Sequence, residues 1–132
     1  GDRTLEPSAG TGALVRAAQA VGAEIVAVEI NQNLAKALHG CTVVAGDFLE
    51  QNGNLGTFDR IVMNPPFSGA SDITHVLHAR KFLRPGGCLA AIVADGPRQN
   101  ERLRPMADIW EEIPAGTFAG TGVRTVLMTI RG

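Results

Sequence analysis

Four short stretches carry side chains suited to holding a nucleotide-like molecule and a flat amine. The first is Leu5-Glu6-Pro7-Ser8-Ala9-Gly10-Thr11-Gly12. Gly10 and Gly12 permit a tight turn and let a ligand touch backbone. A helix starting there would offer N–H groups with no partner inside the helix. The second is Glu29, a carboxylate closing an apolar run, able to accept hydrogen bonds from both hydroxyls of a ribose. The third is Gly46-Asp47-Phe48, where Asp47 can accept from an adenine amine and Phe48 can cover the adenine face. The fourth is Asn64-Pro65-Pro66-Phe67, which ends another apolar run with an amide, two prolines and an aromatic ring. Singly, each has a plainer reading: a glycine turn, a solvated acid, a corner, a chain stop. No Gly-Lys-Ser/Thr follows the glycines, which argues against a phosphate loop. Val15 stands at the third glycine position of G-x-G-x-x-G, which weakens a dinucleotide site.

The elements around these stretches alternate. Thr4–Pro7, Ala23–Ile30, Thr42–Ala45, Phe58–Met63 and Cys88–Ala94 read as strands. A helix is expected over Gly12–Val21, where Leu14, Val15, Ala18 and Val21 follow helical spacing. A second runs from an Asn31 cap to about Leu38. A third runs from an Asp72 cap to about Phe82, closed by Pro85-Gly86-Gly87. A shorter, Pro-interrupted helix is expected around Arg98–Ala107. Trp110–Ile113 and Val123–Ile130 read as two last strands, antiparallel across the short link Pro114–Thr121. The connection between the third and fourth strands is short for a full helix. Strands apolar throughout suit a parallel sheet covered on both faces. Alternating β and α elements imply a doubly wound α/β sheet with right-handed crossovers. At 132 residues the chain is expected to be one domain, with no separate target-recognition domain.

In order along the chain, the glycine turn, Glu29 and Asp47-Phe48 resemble the cofactor site of class I S-adenosylmethionine-dependent methyltransferases. Asn64-Pro65-Pro66-Phe67, just past the fourth strand, matches the D/N-P-P-Y/F motif of that family's amino-methyltransferases. The resemblance implies a mostly parallel, seven-stranded Rossmann-like methyltransferase fold. Its last strand would be antiparallel, and it would be trimmed at the N-terminus, where the family often has helices. It implies S-adenosylmethionine contacts at Glu6, Pro7, Ser8, Gly10, Gly12, Glu29, Ile30, Asp47, Phe48 and Asn64. It implies catalytic roles for Asn64, Pro65, Pro66 and Phe67. The Asn64 side-chain oxygen and the Pro65 carbonyl would accept the two N–H bonds of an amine. The prolines would preorganise these acceptors, and Phe67 would stack on a base. No metal or covalent nucleophile is required.

The tail IPAGTFAGTGVRTVLMTI resembles the ending of DNA adenine methyltransferases carried by phages and mobile elements, through Phe118, Gly122, Val123 and Thr125. The likeness runs from about Leu5 to Ile130 and implies methyl transfer to the 6-amino group of adenine in DNA. RNA bases and protein glutamine are alternative acceptors, and a catalytically silent cofactor-binding remnant is a further alternative. The partner is then a nucleic acid, DNA ahead of RNA, with a partner chain or missing segment aiding target recognition.

Composition supports a globular protein: 45% of residues are apolar. No apolar run approaches the ~18 residues a membrane helix needs. Residues 1–59 hold three basic and seven acidic side chains; residues 60–132 hold nine and six. A basic second half can attract a polyanion, although a solvated surface is the plainer reading of so small an excess. Cys41 and Cys88 lack zinc or redox spacing and read as buried reduced thiols, which suits a cytoplasmic setting. Asp72, His75 and His78 lie three apart on one helix, but with no further ligand they read as an ordinary helix face.

Overall fold

The computed structural model describes residues 2–8, 16, 19–20, 22–114 and 124–132. Seven strands form one sheet: β1 (Arg3–Glu6), β2 (Glu24–Glu29), β3 (Thr42–Ala45), β4 (Phe58–Met63), β5 (Leu83–Ala94), β6 (Ile109–Ile113) and β7 (Thr125–Arg131). Their order is β3-β2-β1-β4-β5-β7-β6. The first five are parallel, and β7 runs antiparallel to both β5 and β6. The alternation of elements implied a doubly wound α/β sheet, and this order is the Rossmann-like methyltransferase topology that the resemblance implied. Strand order reverses between β1 and β4, and open α/β sheets bind ligands at such a switch point, beyond the carboxyl ends of the strands.

The apolar strands are buried as expected. The sheet's share of the main core includes Leu5, Val26, Val28, Ile61, Met63, Leu89, Ala91 and Val93, with Val126, Met128 and Ile130 of β7. Ile73, Val76, Ala79 and Phe82 close it from the helix layer. Three helices are described in full: α1 (Gln32–Ala37), α2 (Ser71–Ala79) and α3 (Pro97–Arg102). Asn31 caps α1 as its residue type suggests, accepting from Asn33 N and Leu34 N at 2.9 and 3.1 Å. The expected Gly12–Val21 helix lies largely outside the described residues.

Three expectations are corrected. Asp72 does not cap α2; the cap position is Ala70, in the left-handed conformation at φ 59°. Asp72 lies in the first turn, fully buried, and accepts from Ala94 N at 2.9 Å and Gln99 Nε2 at 3.1 Å. Its carboxylate thus ties α2 to the end of β5 and to α3, a stronger demand than capping its own helix. Pro85-Gly86-Gly87 does not separate helix from strand, because β5 already begins at Leu83. The register jumps from Phe58↔Leu83 to Arg60↔Cys88, so the intervening residues bulge out. Gly86 supplies the left-handed φ of 82° this needs. Cys41 and Cys88 are free and half-buried, not fully buried.

Candidate methyl-donor cleft and amine-binding corner

The carboxyl ends of β1, β2, β3 and β4 lie side by side, so the residues that follow them share one edge. A cleft of about 310 Å³ opens there. Its walls include Pro7, Ser8, Glu29, Ile30, Asp47, Phe48 and Pro66, all anticipated from the sequence. Gly10 and Gly12 lie outside the described residues. Gly46, Leu49 and His75 also line the cleft and were not anticipated as site residues. The first two flank the expected Asp47-Phe48 pair. His75 was read as plain helix surface, because nothing local shows that α2 starts at the cleft.

Glu29 ends β2 almost buried, and its Oε2 accepts from Asn31 N at 2.8 Å. That bond orients the carboxylate at the cleft. Ile30 follows with 68% of its surface exposed, an unusual state for an isoleucine and one that a flat ligand would relieve. Asp47 uses one oxygen to cap the single turn Phe48–Glu50, accepting from Leu49 N at 3.0 Å. Its second oxygen takes no part in that cap, and a carboxylate has lone pairs enough for both tasks. Phe48 is more deeply placed than a simple lid. It is buried, with its ring 4.9 Å from His78 and 5.6 Å from Phe82, centroid to centroid. Only part of it is left to face the cleft. His75 packs nearly parallel to Phe48 at 6.2 Å, and its Nδ1 lies 2.8 Å from Ser71 O. A carbonyl can only accept, so that nitrogen carries the proton and Nε2 is left as an acceptor in the neutral ring.

Glu6 is the most perturbed group. It is buried, its Oε1 accepts from Ser8 N at 3.0 Å, and its Oε2 has no partner among the described residues. Burial, with the Glu29 charge adding to it, pushes its carboxyl up to about 8, against the lowering effect of the Ser8 N–H. An orphaned buried oxygen at this edge suits a ligand that brings a donor or a positive charge. The donor set fits S-adenosylmethionine: an orphaned carboxylate, a strand-end Glu, a second acid and exposed apolar side chains.

Past β4 the chain turns a corner. Pro65 is buried and anchors it, while Asn64 and Pro66 are exposed and Phe67 is half-buried. Asn64 has no hydrogen-bond partner among the described residues. The corner ends with Gly69 and Ala70 both left-handed, which swings the chain sharply into α2. Asp72, His75 and His78 do not converge: Asp72 faces the core, and His78 Nε2 meets Gln51 O at 3.0 Å.

Comparison with curated protein sequences returns no match. Among solved structures, the fold is similar to that of a candidate RNA methyltransferase from Pyrococcus horikoshii. The TM-score is 0.77 at 21% identity, over 98% of this chain and 73% of that one. It is similar to TrmN from Thermus thermophilus, with TM-score 0.75 at 20% identity over 98% of this chain and 43% of that one. It is also similar to the T. thermophilus 16S rRNA N2 G1207 methyltransferase RsmC, solved with AdoMet and guanosine. There the TM-score is 0.74 at 23% identity, over 99% of this chain and 38% of that one. The chain therefore spans less than half the length of the last two. Among the described residues no helix is long and apolar enough to cross a membrane. The family model for the methyltransferase small domain matches residues 9–113. The chain belongs to the methyltransferase small domain family, and its cofactor is S-adenosylmethionine.

Proposed function

We propose that the domain methylates an exocyclic amine of a nucleobase, with the 6-amino group of adenine in DNA as the first acceptor. The observation that carries this reading is Asn64: an exposed amide without a partner among the described residues, two positions from a wall of the cofactor cleft. When bound, the cofactor supplies an electrophilic methyl group on a sulfonium. The chain's own residues prepare the nucleophile. An aromatic amine is weak because its lone pair is conjugated into the ring. Asn64 Oδ1 and the Pro65 carbonyl accept its two N–H bonds and favour a more tetrahedral nitrogen. Buried Pro65 holds that carbonyl still, so the acceptors are preorganised. Phe67 offers a half-exposed ring to the face of the base. A base in a duplex has to leave the stack to reach this corner.

The DNA assignment rests on the tail resemblance and the modestly basic second half. Phe118, Gly122 and Val123 lie outside the described residues, while Thr125 is buried in β7. A second reading, an RNA base, is favoured by the likeness to RsmC, a 16S rRNA N2 G1207 methyltransferase. Transfer of a labelled methyl group to DNA, RNA and protein fractions, followed by mass identification of the product, tests both. Asn64→Ala is expected to lower transfer by about a hundredfold or more, the usual effect of removing one preorganised group at the reacting centre. Transfer unchanged in that variant refutes the role of Asn64, and label in protein alone refutes the nucleobase reading.

A further inference from the structure

The helix layer carries a second concavity that methyl transfer does not use. It measures about 360 Å³ and is lined by Leu49, Thr74, Leu77, His78, Lys81 and Arg102, among others. It exists because the β3–β4 connection forms only two single turns, Phe48–Glu50 and Gly53–Leu55, leaving the flank of α2 uncovered. Leu49, 37% exposed, lines both this groove and the cofactor cleft. His75 in the cleft and His78 in the groove sit one turn apart on α2. The two concavities therefore adjoin.

Lys81 and Arg102 line the groove, and they and the basic residues close to them in sequence are unbalanced in a way the fold does not explain. Lys81, Arg98 and Arg102 are exposed and make no ion pair or hydrogen bond among the described residues. Arg80 reaches only Met106 Sδ at 3.5 Å. Arg104 reaches Asn100 Oδ1 at 3.2 Å and lies 6.0 Å from the Trp110 ring centroid. None of these five has a carboxylate partner. By contrast, Arg3, Arg60, Arg84 and Arg124 each do. The residues outside the description carry no acidic side chain that could neutralise them. Arg98 and Arg102 stand four apart on α3, a like-charge spacing that weakens a helix. Glu101 is the only carboxylate on α3 and pairs with none of them.

We propose that this face holds the phosphate backbone of the nucleic-acid substrate beside the reacting nucleotide. Lys81 and Arg102 on the groove wall and Arg98, one turn from Arg102 on α3, meet phosphates, and the apolar groove wall at Leu49 and Leu77 meets a base or sugar. The inference rests on the nucleobase-acceptor reading and adds to it where the strand lies. Such contacts position the substrate without reading sequence, and they release counterions on binding. The test is fluorescence anisotropy with labelled 20-nucleotide single-stranded RNA and DNA of mixed sequence, over a salt series. The triple variant Lys81→Gln, Arg98→Gln, Arg102→Gln is expected to bind about tenfold or more weakly. Its log-affinity against log-salt slope is expected to be shallower by about 2, at ~0.7 per lost phosphate contact. Its affinity for S-adenosylhomocysteine is expected to be unchanged, which shows that the fold is intact. The RNA and DNA arms report which backbone is held; loss of affinity in the triple variant on either supports the proposal. If the wild-type chain binds and methylates nucleic acid while the triple variant keeps the same affinity and slope, the groove assignment is overturned alone. If the wild-type chain binds S-adenosylhomocysteine but neither nucleic acid, the groove assignment and the nucleobase reading fall together.

Discussion

Replacing Glu6 by Gln is expected to stabilise the protein in mild base and to leave it nearly unchanged in mild acid. The Glu6 carboxyl is buried, one of its oxygens has no partner among the described residues, and it titrates near 8 instead of its ordinary 4.5. A carboxyl whose folded-state value is raised binds its proton more tightly in the native state. Stability is therefore lost as pH rises from the unfolded value near 4.5 to the folded value near 8, and the loss is complete above it. Three to four pH units at about 1.4 kcal/mol each give a cost of roughly 4 kcal/mol at pH 8. Gln has the shape of the protonated acid and can still accept from Ser8 N, so near pH 5 the two proteins differ by less than about 1 kcal/mol. Urea unfolding of wild type and Glu6→Gln, without cofactor, at pH 5 and pH 8 measures the difference directly. A gain at pH 8 of less than about 1 kcal/mol over the gain at pH 5 would refute the claim that a buried charge is forced on this site.

Three further outcomes follow from single contacts. Asp72→Ala strands the Ala94 N–H and the Gln99 amide in the core and is expected to cost about 3 kcal/mol in urea unfolding. Ala70→Gly removes a Cβ from a left-handed residue at φ 59° and is expected to raise stability by about 1 kcal/mol, read as a higher urea midpoint with unchanged slope. Glu29→Ala is expected to weaken S-adenosylhomocysteine binding by about tenfold or more in calorimetry, since hydrogen bonds to a charged group are among the stronger ones.

The sheet was legible because its strands announce themselves. Thr42–Ala45 and Phe58–Met63 match expectation to the residue, since each is a short, β-branched, largely apolar stretch that stops at Gly46 or Asn64. Asn31 marked the start of α1 for a local reason, and local reasons survive folding. Asp72 was misread for the complementary reason: its partners lie 22 and 27 residues away, and no spacing in the sequence points to them. Pro85-Gly86-Gly87 looks like a turn and is a bulge within β5, a difference made by pairing with β4 and β7. The cleft wall was largely legible because most of it follows strand ends. His75 was not, since its place depends on where the left-handed corner at Gly69-Ala70 aims α2.

The parallel pairing of β1 with β4 couples Thr4 to Arg60 and Leu5 to Ile61. The chain that leaves β1 builds one wall of the donor cleft, and the chain that leaves β4 carries Asn64. Their separation is thus set by backbone ladders deep in the sheet, out of reach of loops and flanking surfaces. Outer faces such as the groove beside α2 can be rebuilt without altering the spacing between the cleft and Asn64.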